Sequence, residues 1–203
     1  MQVLVAWVLC YVVGSIPTAY LLGKLVKGVD IRTVGSGNVG ATNALRTIGV
    51  WAGIVVFLLD ALKGVVAVRV LPQWLLGKVS LATALACGLM AVIGHDFPCV
   101  LRFRGGKGVA TTIGVLVGSA WPVAGLVVAT WVLIFALTRY VSIGSMAAAV
   151  AIPLSQLVFR HPLTATGVGG ALALLIIIQH RANLKRLLMG TEHRARSNRE
   201  MHS

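Results

Sequence analysis

Long uncharged apolar runs alternate with short polar segments along the chain, and this pattern predicts a bundle of membrane helices. Runs of about 20 apolar residues are long enough to cross a hydrocarbon core. The predicted helices cover residues 3–22, 50–71, 79–94, 141–159 and 163–179, with a further apolar region at 108–138. Ser15 and Pro17 predict a kink in the first helix, and residues 72–78 are expected to form a short link.

No residue between Gly108 and Thr138 is charged, yet this run is too long for one helix. As a single helix it would extend about 46 Å, whereas a hydrocarbon core is roughly 30 Å thick. Trp121 and Pro122 stand near its middle, so we predict two helices with a turn between them. The expected fold is therefore an all-α membrane protein of seven transmembrane helices, forming a single domain over residues 1–203.

The distribution of Lys and Arg predicts how this bundle is oriented. With the N-terminus outside, the inner loops and the tail receive fourteen of these residues, and the outer links receive only Lys78 and Arg160. The positive-inside rule favours this orientation, with the C-terminus in the cytoplasm. Every polar stretch of interest then lies on the cytoplasmic face.

Composition supports an integral membrane protein and excludes other classes. The chain is 58% hydrophobic and 11% charged, with a formal net charge of +13. No basic domain exists outside the spans to bind nucleic acid, so the excess charge is expected to face lipid headgroups and anionic substrates. Cys10, Cys87 and Cys99 fit no zinc spacing. We expect no metal, no cofactor and no disulfide.

The first polar motif, residues 34–46, has the composition of an oxyanion site. Glycines make backbone N–H groups accessible, and short hydroxyl, amide and guanidinium groups can bind phosphate. The candidate ligand groups are Ser36, Asn38, Thr42, Asn43 and Arg46. Gly35, Gly37 and Gly40 also match a dinucleotide fingerprint, but membrane helices, not a βαβ unit, flank them. A plain turn is the simpler alternative, although a turn needs fewer residues than this stretch.

The second motif, residues 102–108, holds Lys107 between glycines at the predicted start of a helix. The helix dipole and the ammonium group would both favour an anion there. Arg102 and Arg104 are equally well explained as membrane-surface anchors. Ser142 and Ser145 open a later helix on the same face, either as caps or as ligands.

The third motif begins at His180, which shares a helix face with Asn183 if the last helix continues. Leucines between the cations that follow suit an interfacial helix, and Glu192 can neutralise or orient a nearby cation. Asp60 and Lys63 lie three residues apart in an apolar helix and are interpreted as a mutual structural pair. The roles of His95 and Asp96 stay open.

These three motifs resemble those of the bacterial acyl-phosphate:glycerol-3-phosphate acyltransferases. The matching segments are residues 35–43 (GSGNVGATN), 105–111 (GGKGVAT), and 180–183 (HRAN) with 190–193 (GTEH). The resemblance implies transfer of a fatty acyl group from acyl phosphate to the 1-hydroxyl of sn-glycerol 3-phosphate, giving lysophosphatidic acid at the inner membrane. It also implies membrane lipid and an acyl-phosphate-forming enzyme as partners.

The resemblance assigns the site residues to two groups. Those expected at the acyl-phosphate head are Ser36, Asn38, Thr42, Asn43 and Ser145, and those expected at glycerol 3-phosphate are Arg46, Lys107, His180 and Asn183. Ser36, Lys107 and His180 are the catalytic candidates. No nucleophile elbow, HExxH or His-x4-Asp pattern occurs in the sequence, so catalysis would depend on positioning and anion stabilisation. Either His180 or the leaving phosphate could take the hydroxyl proton. A transporter of phosphate-bearing anions and a non-catalytic headgroup-binding scaffold are the alternatives.

Overall fold

A computed structural model describes residues 1–195, which fold into α-helices without any β-strand. The helices are α1 (Gln2–Gly14), α2 (Thr18–Lys27), α3 (Ala41–Thr47), α4 (Val50–Val65), α5 (Leu71–Leu76), α6 (Leu81–Asp96), α7 (Val109–Ser119), α8 (Trp121–Thr138), α9 (Val141–Val158), α10 (Leu163–Gln179) and α11 (Arg181–Leu188). Short 3-10 turns occur at Ile31–Thr33 and Cys99–Leu101, and a π-helical segment occurs at Val66–Val70.

The predicted kink near the N-terminus is confirmed as a full break between α1 and α2. Pro17 has no backbone N–H to continue the α1 ladder, so the helix ends at Gly14 and restarts at Thr18. The helical region then runs to Lys27, beyond the predicted end at residue 22. Gly28, with φ of +68°, terminates it in a left-handed conformation.

The prediction of a non-helical link at residues 72–78 is wrong for its first five residues. The chain stays helical from α4 through the π-helical segment into α5, which ends at Leu76. Pro72 lies in the first turn of α5, directly after the π-helical segment.

The other predicted boundaries agree with the structure to within two residues, and the split of 108–138 is confirmed. α7 ends at Ser119 and α8 begins at Trp121, with Pro122 in its first turn. α6 starts at Leu81 because the Ser80 hydroxyl accepts the Thr83 N–H at 3.1 Å as a cap. α3 was not predicted; it lies inside the stretch interpreted as a loop.

The described residues contain four helical segments that are long and apolar enough to cross a membrane. They are Gln2–Lys27, Leu81–Leu101, Trp121–Thr138 and Val141–Val158. A fifth is obtained if α10 and α11, which meet at a bend of 53°, are counted together. α7 has 11 residues, and a helix of that length extends about 16 Å, which is shorter than a hydrocarbon core.

Glycines allow the helices to approach closely at two main contacts. On α7, a Cβ at Gly114 would overlap the carbonyl oxygen of Ala61 on α4. On α1, a Cβ at Gly14 would likewise overlap the carbonyl oxygen of Ala91 on α6. Small residues at such crossings permit the backbone contact that stabilises helices in lipid.

Substitution of Gly114 tests the close contact between α4 and α7. We expect Gly114→Ala to destabilise the protein by about 1–3 kcal/mol, because the added methyl group meets backbone that cannot move aside. Gly125 on α8 has no neighbour within 4 Å of an added Cβ and is the matched control. Gly125→Ala should leave the melting temperature in detergent unchanged or slightly raised, since alanine favours helix. Equal melting temperatures for Gly114→Ala and the unsubstituted protein would contradict this account.

Candidate active site

A cavity of about 2080 Å³ lies at one end of the helix bundle and is lined by all three polar motifs. The predicted site residues that line it are Ser36, Asn38, Thr42, Asn43, Arg46, Lys107, Ser145, His180 and Asn183. The first residue of α9 and the last residue of α10 lie at its edge, together with the loop that precedes α7. The fold therefore brings together side chains separated by up to 147 positions in the sequence.

Asn43 holds the first motif in shape. From the first turn of α3, its Oδ1 accepts the Ser36 N–H at 2.9 Å, and its Nδ2 donates to the carbonyls of Ile31 at 3.0 Å and Val34 at 3.1 Å. Gly35 is required beside it, since a Cβ there would overlap Asn43 Oδ1. The amide of Asn43 is thus fully used inside the protein, and its predicted contact with acyl phosphate stays untested.

The remaining polar side chains of this motif are available to a ligand. Within residues 1–195, no hydrogen bond engages the side chains of Ser36, Asn38, Thr42 or Arg46. Ser36 and Arg46 are exposed, whereas Asn38 and Thr42 are half-buried. A hydroxyl pair, an amide and a guanidinium group therefore face the cavity from one wall, which is a suitable set of donors for phosphate oxygens.

The second motif folds back against the end of α6 and places Lys107 at the start of α7. The N–H of Gly105 donates to the Asp96 carbonyl and that of Gly106 to the His95 carbonyl, both at 3.0 Å. Gly108, with φ of +71°, precedes α7. Lys107 thus lies two residues before the first residue of α7, and both the helix N-terminus and an ammonium group favour an anion.

A chain of hydrogen bonds joins Lys107 to the third motif. Lys107 Nζ donates to Asn183 Oδ1, and Asn183 Nδ2 donates to Glu192 Oε1 at 2.6 Å. Glu192 also accepts from Ser142 Oγ at 2.9 Å and from Arg186 Nε at 2.7 Å. The Glu192 carboxylate therefore fixes which way the Asn183 amide points, and it neutralises Arg186 as anticipated from the sequence.

The same surroundings alter the pKa values of these groups. Burial, together with the nearby charges of Arg186 and Arg46 and against the opposing effect of Glu192, lowers the pKa of Lys107 to about 8. Burial alone would raise the pKa of Glu192, but hydrogen bonds from Asn183, Arg186 and Ser142 lower it below its ordinary value. Lys107 is thus a cation that loses its proton more readily than a surface lysine.

His180 stands at the junction of α10 and α11 and is buried. Its Nδ1–H donates to the Ile176 carbonyl at 2.8 Å, because a carbonyl can only accept. In the neutral ring, Nε2 then carries the lone pair and can accept a hydrogen bond from a substrate hydroxyl. The bend of 53° at this point directs the following helix across the cavity.

Ser145 and the two exposed arginines differ from the rest. Ser145 Oγ donates to the Val141 carbonyl at 2.9 Å and accepts from Trp131 Nε1 at 3.3 Å, so its hydroxyl proton is already used. Arg102 and Arg104 are exposed at the rim of the cavity.

Among residues 1–195, no group of three or more His, Cys, Asp or Glu side chains is arranged to bind a metal ion.

Residues 4–190 match the family model described as glycerol-3-phosphate acyltransferase. The chain belongs to the glycerol-3-phosphate acyltransferase family. It is 45% identical to a glycerol-3-phosphate acyltransferase of Gloeobacter violaceus, over 92% of this chain and 91% of that protein. It is 46% identical to glycerol-3-phosphate acyltransferase 2 of Moorella thermoacetica, over 94% of this chain and 96% of that protein.

Two solved structures of a family member have the same fold. Both are crystal structures of PlsY (YgiH), an integral membrane glycerol 3-phosphate acyltransferase. The glycerol 3-phosphate form covers 100% of both chains with a TM-score of 0.90 and 38% identity. The lysophosphatidic acid form covers 96% of this chain and 95% of that one, with a TM-score of 0.86 and 39% identity. Family membership favours the enzyme over the transporter and scaffold alternatives.

Several features of this candidate site could not be predicted from the sequence. The bracing role of Asn43, the Trp131 contact to Ser145 and the position of His95 all depend on tertiary contacts. The predicted Asp60–Lys63 pair is confirmed at 2.7 Å, but His95 Nδ1 also lies 3.6 Å from Asp60 Oδ1. In the sequence, the only indication of a further partner such as His95 was that two charged residues, Asp60 and Lys63, lie in an otherwise apolar helix.

Proposed function

We propose that the chain transfers a fatty acyl group from acyl phosphate to the 1-hydroxyl of sn-glycerol 3-phosphate, releasing lysophosphatidic acid and inorganic phosphate. The single observation that carries this proposal is that one cavity joins two hydrogen-bonding walls, each with a cationic side chain. Ser36, Asn38, Thr42 and Arg46 line one wall, and Lys107 and Asn183 line the other. Arg46 is close enough to Lys107 to lower its pKa.

The two walls match the two phosphate groups of the substrates. Ser36, Asn38 and Thr42 would donate to the head of acyl phosphate and polarise its carbonyl. Arg46 and Lys107 would bind the phosphate of glycerol 3-phosphate, with Arg46 able to form a bidentate contact. Asn43 would shape the first wall from behind through its hydrogen bonds to the backbone. The Ser145 hydroxyl already donates its proton to the Val141 carbonyl, so Ser145 would act through its contact with Trp131.

The cavity also has an apolar side on which an acyl chain could lie. This side consists of Ile54 and Phe57 on α4, Ile113 on α7, and Trp131 and Phe135 on α8. The rings of Trp131 and Phe135 are stacked with centroids 4.9 Å apart, and Ile54 is exposed on the bundle surface. An acyl chain lying along this side would remain in contact with lipid while its phosphate reached the polar walls.

The reaction needs no covalent enzyme intermediate, because acyl phosphate is already an activated anhydride. The acceptor hydroxyl attacks the acyl carbonyl carbon, a new C–O ester bond forms, and the bond from that carbon to the phosphate oxygen breaks. Neutral His180 can accept a hydrogen bond from the attacking hydroxyl at Nε2, and the leaving phosphate can take up the proton. Positioning and anion stabilisation would supply most of the rate.

We further propose seven membrane crossings with the cavity facing the cytoplasm of a bacterial inner membrane. Successive apolar elements alternate in direction, since the cavity receives the start of α4, α7 and α9 and the end of α6, α8 and α10. The excess of Lys and Arg on the same side supports a cytoplasmic face. α7 can be short because it begins at the cavity floor, where Gly108 is buried. An acyl-phosphate-forming enzyme would supply the donor from this side.

An assay with purified protein tests the reaction directly. In detergent with acyl phosphate and labelled glycerol 3-phosphate, we expect labelled lysophosphatidic acid. Lys107→Ala should reduce turnover at least about 100-fold, because the acceptor phosphate loses a partly buried charge partner. Lys185→Ala is the matched control, since Lys185 is exposed on α11 and does not line the cavity. Product formed only from acyl-CoA or acyl carrier protein would refute the proposed donor, and no product from any donor would refute the function.

The pKa of Lys107 predicts how acceptor use depends on pH. Burial depresses this pKa to about 8 from an ordinary 10.5, so the ammonium charge is present below about pH 8 and is lost as pH rises through it. We therefore expect kcat/KM for glycerol 3-phosphate to fall between pH 7.5 and 9.5, tenfold per pH unit at the alkaline limit. Lys107→Arg should shift this decline beyond the measurable range, because arginine stays protonated, whereas Lys185→Arg should leave it in place. If kcat/KM for glycerol 3-phosphate still declines over this pH range in Lys107→Arg, the decline is caused by another group and the prediction is wrong.

A further inference from the structure

Asp60 and Lys63 form an ion pair that lies inside the helix bundle. Lys63 Nζ is 2.7 Å from Asp60 Oδ1, and the two side chains are 7% and 1% exposed, respectively. Taking two charges out of water is energetically costly, and replacing such a pair by apolar residues is often neutral or stabilising. A buried pair is therefore weak evidence for a stabilising role, and its other contacts show what it can do.

On one side, the pair holds the break between α1 and α2. Lys63 Nζ donates to the carbonyls of Gly14 at 3.3 Å and Ile16 at 2.9 Å, which the break at Pro17 leaves without helical partners. Thr18 Oγ1 donates to Asp60 Oδ1 at 2.5 Å. The last carbonyl of α1, the Ile16 carbonyl in the break and the first side chain of α2 are thus bound to α4.

On the other side, the pair contacts His95 near the end of α6. His95 Nδ1 lies 3.6 Å from Asp60 Oδ1 and 3.4 Å from Lys63 Nζ. The opposite edge of the same ring is pressed against Gly106, where a Cβ would overlap Nε2. The His95 carbonyl also accepts the Gly106 N–H at 3.0 Å. One edge of the His95 ring therefore contacts the ion pair, and the opposite edge contacts Gly106, the residue before Lys107.

We infer that the Asp60–Lys63 pair and His95 are positioning residues that set the location of Lys107 for the acceptor phosphate. This inference rests on the proposed function, in which Lys107 binds glycerol 3-phosphate. The order of contacts is Asp60 and Lys63 to His95, His95 to Gly106, and Gly106 to Lys107. In the described part of the chain, no hydrogen bond joins the side chains of Ser36, Asn38 or Thr42 to this sequence of residues.

Loss of the contacts that run from the ion pair through His95 to Gly106 should therefore weaken binding of glycerol 3-phosphate more than binding of acyl phosphate. A misplaced Lys107 weakens contacts to glycerol 3-phosphate, whereas acyl phosphate is held mainly by the first wall. A displacement of about 1 Å in a positioned group can cost on the order of 100-fold in rate. A residue needed only for folding would instead lower the melting temperature and impair both substrates together.

The test uses two variants of the full-length protein in detergent. His95→Leu removes the ring nitrogens that contact the ion pair and Gly106, while the Lys63 hydrogen bonds to Gly14 and Ile16 stay in place. The double variant Asp60→Asn/Lys63→Gln removes both charges but keeps amide groups that can hydrogen-bond. The matched control is Leu59→Met/Leu62→Met, because these residues lie on the same turns of α4 and are 43% and 53% exposed. Melting temperature and KM for each substrate are measured for all four proteins.

We expect both test variants to raise KM for glycerol 3-phosphate at least tenfold, with KM for acyl phosphate changed less than about threefold and the control unchanged. An unaltered KM for glycerol 3-phosphate in either variant would overturn the inference. Equal losses for both substrates together with a lower melting temperature would also overturn it and assign the network a purely structural role. If the unsubstituted protein transfers no acyl group from any donor, the proposed function itself fails, which is a separate outcome.

Discussion

A hydrocarbon interior cannot hydrogen-bond, and this constraint determines where the polar groups of the protein are found. A chain that is 58% hydrophobic can cover most of its helices with apolar side chains, but every helix break leaves backbone groups without partners. At the break between α1 and α2, Lys63 hydrogen-bonds from α4 to the carbonyls of Gly14 and Ile16, the second of which also accepts the Thr18 N–H. In the first motif, Asn43 hydrogen-bonds to the carbonyls of Ile31 and Val34. Both of these irregular segments contribute residues to the cavity.

Close helix packing makes this arrangement rigid enough to hold three loops in register. Gly114 and Gly14 allow backbone contact between α4 and α7 and between α1 and α6. The segment between α6 and α7 then folds tightly, with Gly105 and Gly106 bonded to the last carbonyls of α6. Because Lys107 follows directly, its position depends on packing deeper in the bundle. The same dependence supports the proposal that the buried charges in α4 position Lys107, the group proposed to bind the acceptor phosphate.

Much of the fold and of the site could be predicted from the sequence, because the signals were local. The bounds of α10 agree with the prediction because Pro162 and the polar tail delimit an uncharged run. All nine predicted site residues line one cavity, since the charge distribution placed their motifs on a common face. α3 was missed because it has only two turns, and because the glycine and asparagine residues in and before it are typical of loops. The assignments of Asn43 and Ser145 as ligands could not be judged, because their hydrogen-bond partners are set by tertiary structure.

The central claim is that the polar end of this bundle is one acyl-transfer site that opens to the cytoplasm. Glycerol 3-phosphate does not cross a lipid bilayer unaided, so sealed vesicles of known orientation test the claim most directly. In vesicles from a host depleted of its own acyltransferase, labelled glycerol 3-phosphate and acyl phosphate are supplied outside. The account predicts lysophosphatidic acid from inverted vesicles at once, and from right-side-out vesicles only after detergent is added. Product from intact right-side-out vesicles at the rate seen in inverted ones would contradict it.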